Sequence, residues 1–165
     1  MMIVYFKRIS WLLLLVTFTL STQVSLATET VPYKEVDGVV IYLGALPAQM
    51  ILGHGKEHPE SKMHGGIPTS THRYHLLVSL FDNATGQRIT DADVTATVEE
   101  IGLTSETKTL EPMKIVNTIT FGNYFKIDSQ NLYRIIIQIR RIGTQQKMIK
   151  AEFTQEHFPK YWLDL

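Results

Sequence analysis

The sequence contains no cysteine, and this absence excludes several classes of site at once. Disulfide scaffolds, thiolate zinc sites, cysteine nucleophiles and iron–sulfur clusters all require that residue. A metal bound by this chain must therefore take its ligands from imidazole, carboxylate, thioether or backbone groups.

An excess of charge of one sign is also missing. The 165 residues include 16 Lys and Arg and 16 Asp and Glu, so the formal net charge is zero. A nucleic-acid partner is not expected, because nucleic-acid binders carry a basic surface for phosphate contacts. The sequence has no G-x-S-x-G motif, Walker sequence or glycine-rich phosphate loop, and we do not expect an enzyme.

One long apolar run is present, at the N-terminus. The basic residues Lys7 and Arg8 precede the apolar residues 9–20, and small residues follow at positions suited to cleavage. The run is shorter than the ~20 residues that a membrane-spanning helix needs, so we interpret residues 1–27 as a cleaved signal peptide rather than an anchor. The exported part, residues 28–165, fits one domain and carries two more acidic than basic residues. Export without cysteine favours a bacterial periplasm.

Short runs with β-strand alternation follow from residue 28 onward, separated by turn residues. Apolar side chains share one face in the two clearest runs: Tyr74, Leu76, Val78 and Leu80, and then Tyr133, Ile135, Ile137 and Ile139. The runs lie at 39–43, 74–80, 93–99, 114–120, 123–127, 132–140 and 147–154. About seven such strands predict an all-β fold, an antiparallel immunoglobulin-like β-sandwich. We expect the aromatic tail, residues 158–162, to pack against it.

A histidine-rich stretch interrupts this pattern. Residues 53–71 are rich in glycine and proline, and five of the six histidines fall within 22 residues of the chain. Imidazole is the commonest metal ligand, and nearby thioether sulfur favours soft ions such as Cu(I). A solvated loop is the alternative, because such tracts are compositional evidence. His72 and His75 would point to opposite faces of one strand, so His72 must precede the strand if both bind one ion.

One motif in this stretch matches a zinc hydrolase signature. Residues 54–58 read H-x-x-E-H, which places two histidines on one face of a helix in those enzymes. Gly53, Gly55 and Pro59 disfavour a helix here, so we interpret the match as accidental.

A further set of motifs occurs in a characteristic order over residues 39–140. It comprises Tyr42-Leu43, Met50, the Gly/Pro-rich loop, His75-Leu76, Pro112-Met113, the segment 121–127 and the segment 132–135. This order resembles the periplasmic iron-transport protein family whose β-sandwich binds copper beside a second cation site. The resemblance implies Met50, His75 and Met113 as copper ligands.

The same resemblance has two departures. Leu77 stands where the family has an acidic residue, and Thr120 stands where it has a histidine, so the loop histidines are candidates to replace them. Residues 82–98 also resemble exported immunoglobulin-like domains, including oxidase-assembly accessory proteins.

Three hypotheses follow. The leading one is an exported carrier or accessory in metal transport that binds copper, with zinc or iron as alternatives. Its candidate ligands are His54, His58, Met63, His64, His72, His75, Met50 and Met113. The second is a non-catalytic interaction or oxidase-assembly module that docks to an envelope membrane protein such as a permease or an oxidase. The third is a metallohydrolase built on residues 54–58. A pH-sensing role for the histidines and the oligomeric state both stay open.

Overall fold

The part of the chain that the structure describes forms eight strands and one short helix. This structure is a computed structural model, and it describes residues 32–52, 65–70, 72–115, 117–155 and Phe158. The strands are β1 (Tyr33–Val36), β2 (Val39–Pro47), β3 (Arg73–Asp82), β4 (Ala92–Glu100), β5 (Ser105–Ile115), β6 (Thr118–Lys126), β7 (Tyr133–Arg141) and β8 (Ile149–Gln155). A short helix, α1 (Ala48–Leu52), follows β2 directly.

The predicted all-β antiparallel class is confirmed, but the strand count is eight rather than about seven. Strand β5 was missed because its first half, residues 105–109, is polar on both faces and has no apolar alternation. The predicted strand 114–120 spans the turn between β5 and β6 instead. The predicted signal peptide, residues 1–27, lies outside the described residues.

All strands belong to one hydrogen-bonded sheet in the order β1-β2-β3-β6-β5-β4-β7-β8. Strand β5 joins its two halves: residues up to Leu110 pair with β4, and residues from Glu111 onward pair with β6. Strands β3 to β6 form a Greek key, because β4, β5 and β6 are consecutive neighbours and β3 lies beside β6. The predicted immunoglobulin-like sandwich is not confirmed, because all eight strands form one sheet that is continuous through β5.

One hydrophobic core takes residues from both halves of the sheet. Leu76, Val78 and Leu80 of β3 are fully buried in it, as are Ile135, Ile137 and Ile139 of β7, so the predicted inward faces of these strands are confirmed. Each such side chain contributes about 1.5–3 kcal/mol through burial. From the aromatic tail, Phe158 packs against the rings of Tyr74 and Tyr133, with centroid distances of 5.3 and 5.6 Å.

A smaller apolar cluster lies outside this core and positions the site described next. Ala48 and Ile51 of α1 pack with Tyr124 of β6, and Ile67 lies against them. Helix α1 therefore covers one end of β3 and β6 on the face turned away from the main core. Within the described residues, no helix combines the length and apolar character that crossing a membrane requires.

Candidate metal centre

His75 is fully buried although its strand neighbours face the main core. Tyr74 and Leu76 point inward, so His75 points to the opposite, outer face of β3. Its side chain nevertheless has 0% exposure. The ring stacks on Tyr124, its direct partner on β6, with 4.6 Å between centroids and 24° between planes. The sheet thus supplies a rigid, dry position for one imidazole.

Gly122 marks the point at which a second side chain meets this imidazole. A Cβ atom built on Gly122 would lie 2.8 Å from His75 Nε2 and 2.7 Å from Met113 Cε. Both side chains therefore reach over the same backbone position, which only glycine leaves open. We call this arrangement of His75, Met113, Gly122 and Tyr124 the histidine pocket.

Strand β5 brings two side chains to this pocket. Met113 is 1% exposed and pairs with Thr120, while Glu111 pairs directly with Gly122. Directly paired residues project to the same face of a sheet, so the Glu111 carboxylate shares the face of Gly122. Glu111 was not among the predicted ligands, because the predicted strand began only at residue 114. The alternation of Glu111 and Met113 within one longer strand is the signal that could have identified it.

The donor chemistry of the pocket fits copper. Imidazole nitrogen binds Cu(I), Cu(II) and zinc, whereas thioether sulfur favours the softer Cu(I). An exposed carboxylate on the same face adds an oxygen donor without burying its charge. The histidine pocket therefore combines donors of the types to which the absence of cysteine restricts this chain.

The predicted ligands fall into three groups. His75 and Met113 come together in the histidine pocket. Met50 lies on α1, the helix that covers the pocket end of the sheet, and is 38% exposed. His54, His58, Met63 and His64 lie outside the described residues.

The hydrolase motif at residues 54–58 lies outside the described residues as well, so that hypothesis stays untested. In the ranges that the structure does describe, no three His, Asp or Glu side chains gather closely enough to hold a metal ion. Within the described residues, His75 and Met113 are the two donor side chains that meet at the pocket.

His72 has a different environment from His75. His72 precedes β3, which is the position it would need in order to share an ion with His75. However, it is exposed and lines a cleft of about 540 Å³. The cleft carries charges of both signs, from Arg73, Lys126, Glu106 and Asp128 among others. The prediction that His72 joins the metal site stays a prediction.

The carboxylate of Glu106 in this cleft has several hydrogen-bonding and positively charged neighbours. Burial by itself would raise the pKa of Glu106, but hydrogen bonds from Lys108 Nζ and the backbone N–H of Lys126 outweigh it. Together with the charges of Lys108 and Arg73 they lower the pKa. A carboxyl with a lowered folded-state pKa stabilises the protein above its unfolded-state pKa, and this contribution disappears as pH falls through the folded-state value.

Replacing Lys108 with glutamine is expected to raise the pKa of Glu106, because the variant loses both a hydrogen bond and a positive charge. Above the unfolded-state pKa the variant should be less stable than the parent, and the difference should shrink as the pH falls. Carboxyl NMR titration and denaturant unfolding at several pH values measure the two effects. Lys150→Gln, a charge loss on β8, is the control, and an unchanged pKa of Glu106 in Lys108→Gln would contradict the assignment.

A fixed positive charge lies beyond the pocket on the same outer face. Arg88 Nη1 donates hydrogen bonds to Ser79 Oγ at 3.2 Å, the carbonyl of Ile119 at 2.9 Å and Thr120 Oγ1 at 3.4 Å. Its guanidinium lies 4.6 Å from the ring centroid of Phe81. Thr120 stands where the resemblance implies a histidine, and here it accepts a hydrogen bond from the guanidinium of Arg88.

Comparison with known proteins supports the fold. No protein-family model matches the chain, and no curated protein matches it in sequence. Among solved structures it is similar to a DUF4426 family protein from Pseudomonas aeruginosa PAO1, with a TM-score of 0.57 and 16% identity over 79% of this chain and 97% of that one.

Two further solved structures bear on the resemblance. FetP of uropathogenic Escherichia coli strain F11, recombinantly expressed in the periplasm, matches with a TM-score of 0.59 and 12% identity over 77% of this chain and 93% of its own. Copper-reconstituted P19 from Campylobacter jejuni matches with a TM-score of 0.54 and 14% identity over 78% of this chain and 96% of its own. The distant resemblance inferred from motif order is confirmed as a likeness of fold.

Proposed function

We propose that this chain is a periplasmic copper-binding protein that acts as a carrier or accessory in metal transport rather than as an enzyme. The observation that carries the proposal is the convergence of His75 Nε2 and Met113 Cε over Gly122. An exported protein without cysteine has few ways to hold a soft metal, and this pair is one of them.

The remaining ligands are proposed from α1 and from the residues that follow it. Met50 lies on the helix itself, and the residues that follow it include His54, His58, Met63 and His64. Helix α1 packs against the sheet beside His75, and Ile67 returns the chain to the same cluster. Ile51 and Ile67, which flank these residues in the sequence, both belong to the cluster that contains Tyr124 of the pocket. A rigid pair on the sheet and donors on a connecting segment suit a carrier, since cargo can leave without unfolding the core.

Replacing Met113 with leucine tests the proposal directly. The two side chains have similar volume, so the free energy of unfolding should change by less than ~1.5 kcal/mol. The loss of the thioether should weaken Cu(I) binding on the order of tenfold to 100-fold, as measured by competition titration against a chromogenic chelator.

Met148→Leu is the matched control for Met113→Leu, because Met148 is 51% exposed and its substitution removes a thioether at the surface. Equal Cu(I) affinity in the parent and in Met113→Leu would contradict the assignment of the histidine pocket. Absence of Cu(I), Cu(II) and Zn(II) binding by the parent would contradict the proposed function itself.

A second function is favoured by exposed aromatic side chains on the outer face of β1 to β3. The ring of Tyr33 stacks on that of Tyr42 at 5.6 Å, and Tyr42 meets Phe81 edge-on at the same distance. Tyr33 is 62% exposed. Such a row fits the alternative of a non-catalytic module that docks to an envelope permease or oxidase. Binding to envelope membranes that survives a chelator but is lost in Tyr33→Ser would favour this function.

A further inference from the structure

Arg88 is held in one orientation by contacts on several sides. It lies in the connection between β3 and β4, where a backbone bridge pairs it with Phe81. Nη1 donates to three acceptors on β3 and β6, and the guanidinium covers the ring of Phe81. An arginine with these contacts presents its charge at a fixed place.

No carboxylate forms an ion pair with Arg88 among the residues that the structure describes. Asp82, which lines the same surface hollow, accepts hydrogen bonds from Thr85 instead and lies 4.0 Å from Arg141. Glu111 is the exposed carboxylate on the pocket side, where it pairs with Gly122. The positive charge of Arg88 thus acts on its surroundings without a paired anion in the described part of the chain.

The charge lies close to the histidine pocket. Thr120, which accepts a hydrogen bond from Arg88, is the direct strand partner of Met113. Thr120 is also two residues from Gly122 along β6, which corresponds to about 7 Å. A cation bound over Gly122 and the guanidinium therefore share one face of the sheet at a separation at which like charges repel measurably.

We infer that Arg88 determines which charge state of the metal the pocket retains. Repulsion grows with the charge of the bound ion, so the guanidinium disfavours a divalent ion more than a monovalent one. It thereby reinforces the preference of the Met113 thioether for Cu(I). This inference rests on the proposed function.

The experiment compares Cu(I) and Cu(II) affinities of residues 28–165 and of Arg88→Gln in the same chain. The ratio of Cu(I) to Cu(II) affinity should fall about tenfold in the variant. The reduction potential of bound copper should fall by about 59 mV, which is the one-electron equivalent of that ratio. Arg88→Lys keeps the charge and should keep the ratio. Arg140→Gln removes a charge from β7, in the other half of the sheet, and should also leave it unchanged.

Each outcome decides between the two proposals. If the parent binds neither copper ion, the proposed function fails and the inference fails with it. If the parent binds copper and Arg88→Gln leaves both the ratio and the potential unchanged, only the inference about Arg88 is wrong. A shift of equal size in Arg88→Lys also overturns it, because the effect would then come from packing rather than charge. Thermal unfolding of each variant confirms that the comparison concerns folded protein.

Discussion

Copper binding is expected to disappear when Gly122 is replaced with alanine. The new Cβ would stand 2.8 Å from His75 Nε2 and 2.7 Å from Met113 Cε, and 3.0 Å from the carbonyl oxygen of Leu76. The end of the methionine can move aside, but the imidazole is stacked on Tyr124 and the carbonyl belongs to the sheet. The methyl group therefore clashes with His75 Nε2 and forces the end of Met113 away from it. Overpacking should also lower the free energy of unfolding by about 1–3 kcal/mol.

Gly44→Ala is the matched control for this substitution. Gly44 and Gly122 pair with the same residue, Leu77, from its two sides. A Cβ on Gly44 would lie 3.7 Å from the Leu77 side chain, which is an ordinary contact. Gly44→Ala should bind copper like the parent and be unchanged or slightly more stable, since alanine restricts the unfolded chain. Copper titration and denaturant unfolding check both variants, and copper binding retained by Gly122→Ala would show that the ion lies elsewhere.

The second large effect is expected for His75→Leu. Leucine has nearly the volume of histidine and suits a fully buried position beside Ile51 and Tyr124. The variant should remain folded with a free energy of unfolding within about 1.5 kcal/mol of the parent. Copper affinity should fall on the order of 100-fold or more, equivalent to about 2.8 kcal/mol, because the nitrogen donor of the pair is gone. Titration of the refolded, metal-free variant gives the affinity.

His72→Asn is the comparison for His75→Leu. His72 is exposed in the charged cleft, so its replacement should change copper affinity much less than the loss of His75. A loss of copper affinity in His72→Asn as large as that in His75→Leu would indicate that His72 is also a copper ligand. Full copper affinity in His75→Leu would instead remove the histidine pocket from the metal site.

The inward faces of the strands were predictable because they depend on local alternation. Residues 74–80 and 133–139 carry an apolar side chain at every second position, and a period of two places these side chains on one face whatever the partner strand. The same alternation puts His75 on the opposite face. Its complete burial was not predictable, because it depends on tertiary packing such as the stacking on Tyr124 of β6.

The meeting of His75 with Met113 depends on strand register, which a single sequence does not encode locally. Three strands must pair in one register for both side chains to reach over Gly122. The motif order indicated these two residues, but it gave no reason for glycine at 122 and no sign of Glu111 or Arg88. Glu111 belongs to the part of β5 that the alternation does not predict, and Arg88 reaches this face through hydrogen bonds to β3 and β6.

The Greek key also determines when the site can exist during folding. Pairing of β3 with β6 closes a loop that contains the whole of β4 and β5, and loop closure over such sequence separation is entropically costly and slow. The imidazole of β3 and the thioether of β5 are thus far apart in the unfolded chain and meet only after this long-range pairing has taken place. A site built on this pair is therefore a property of the folded domain.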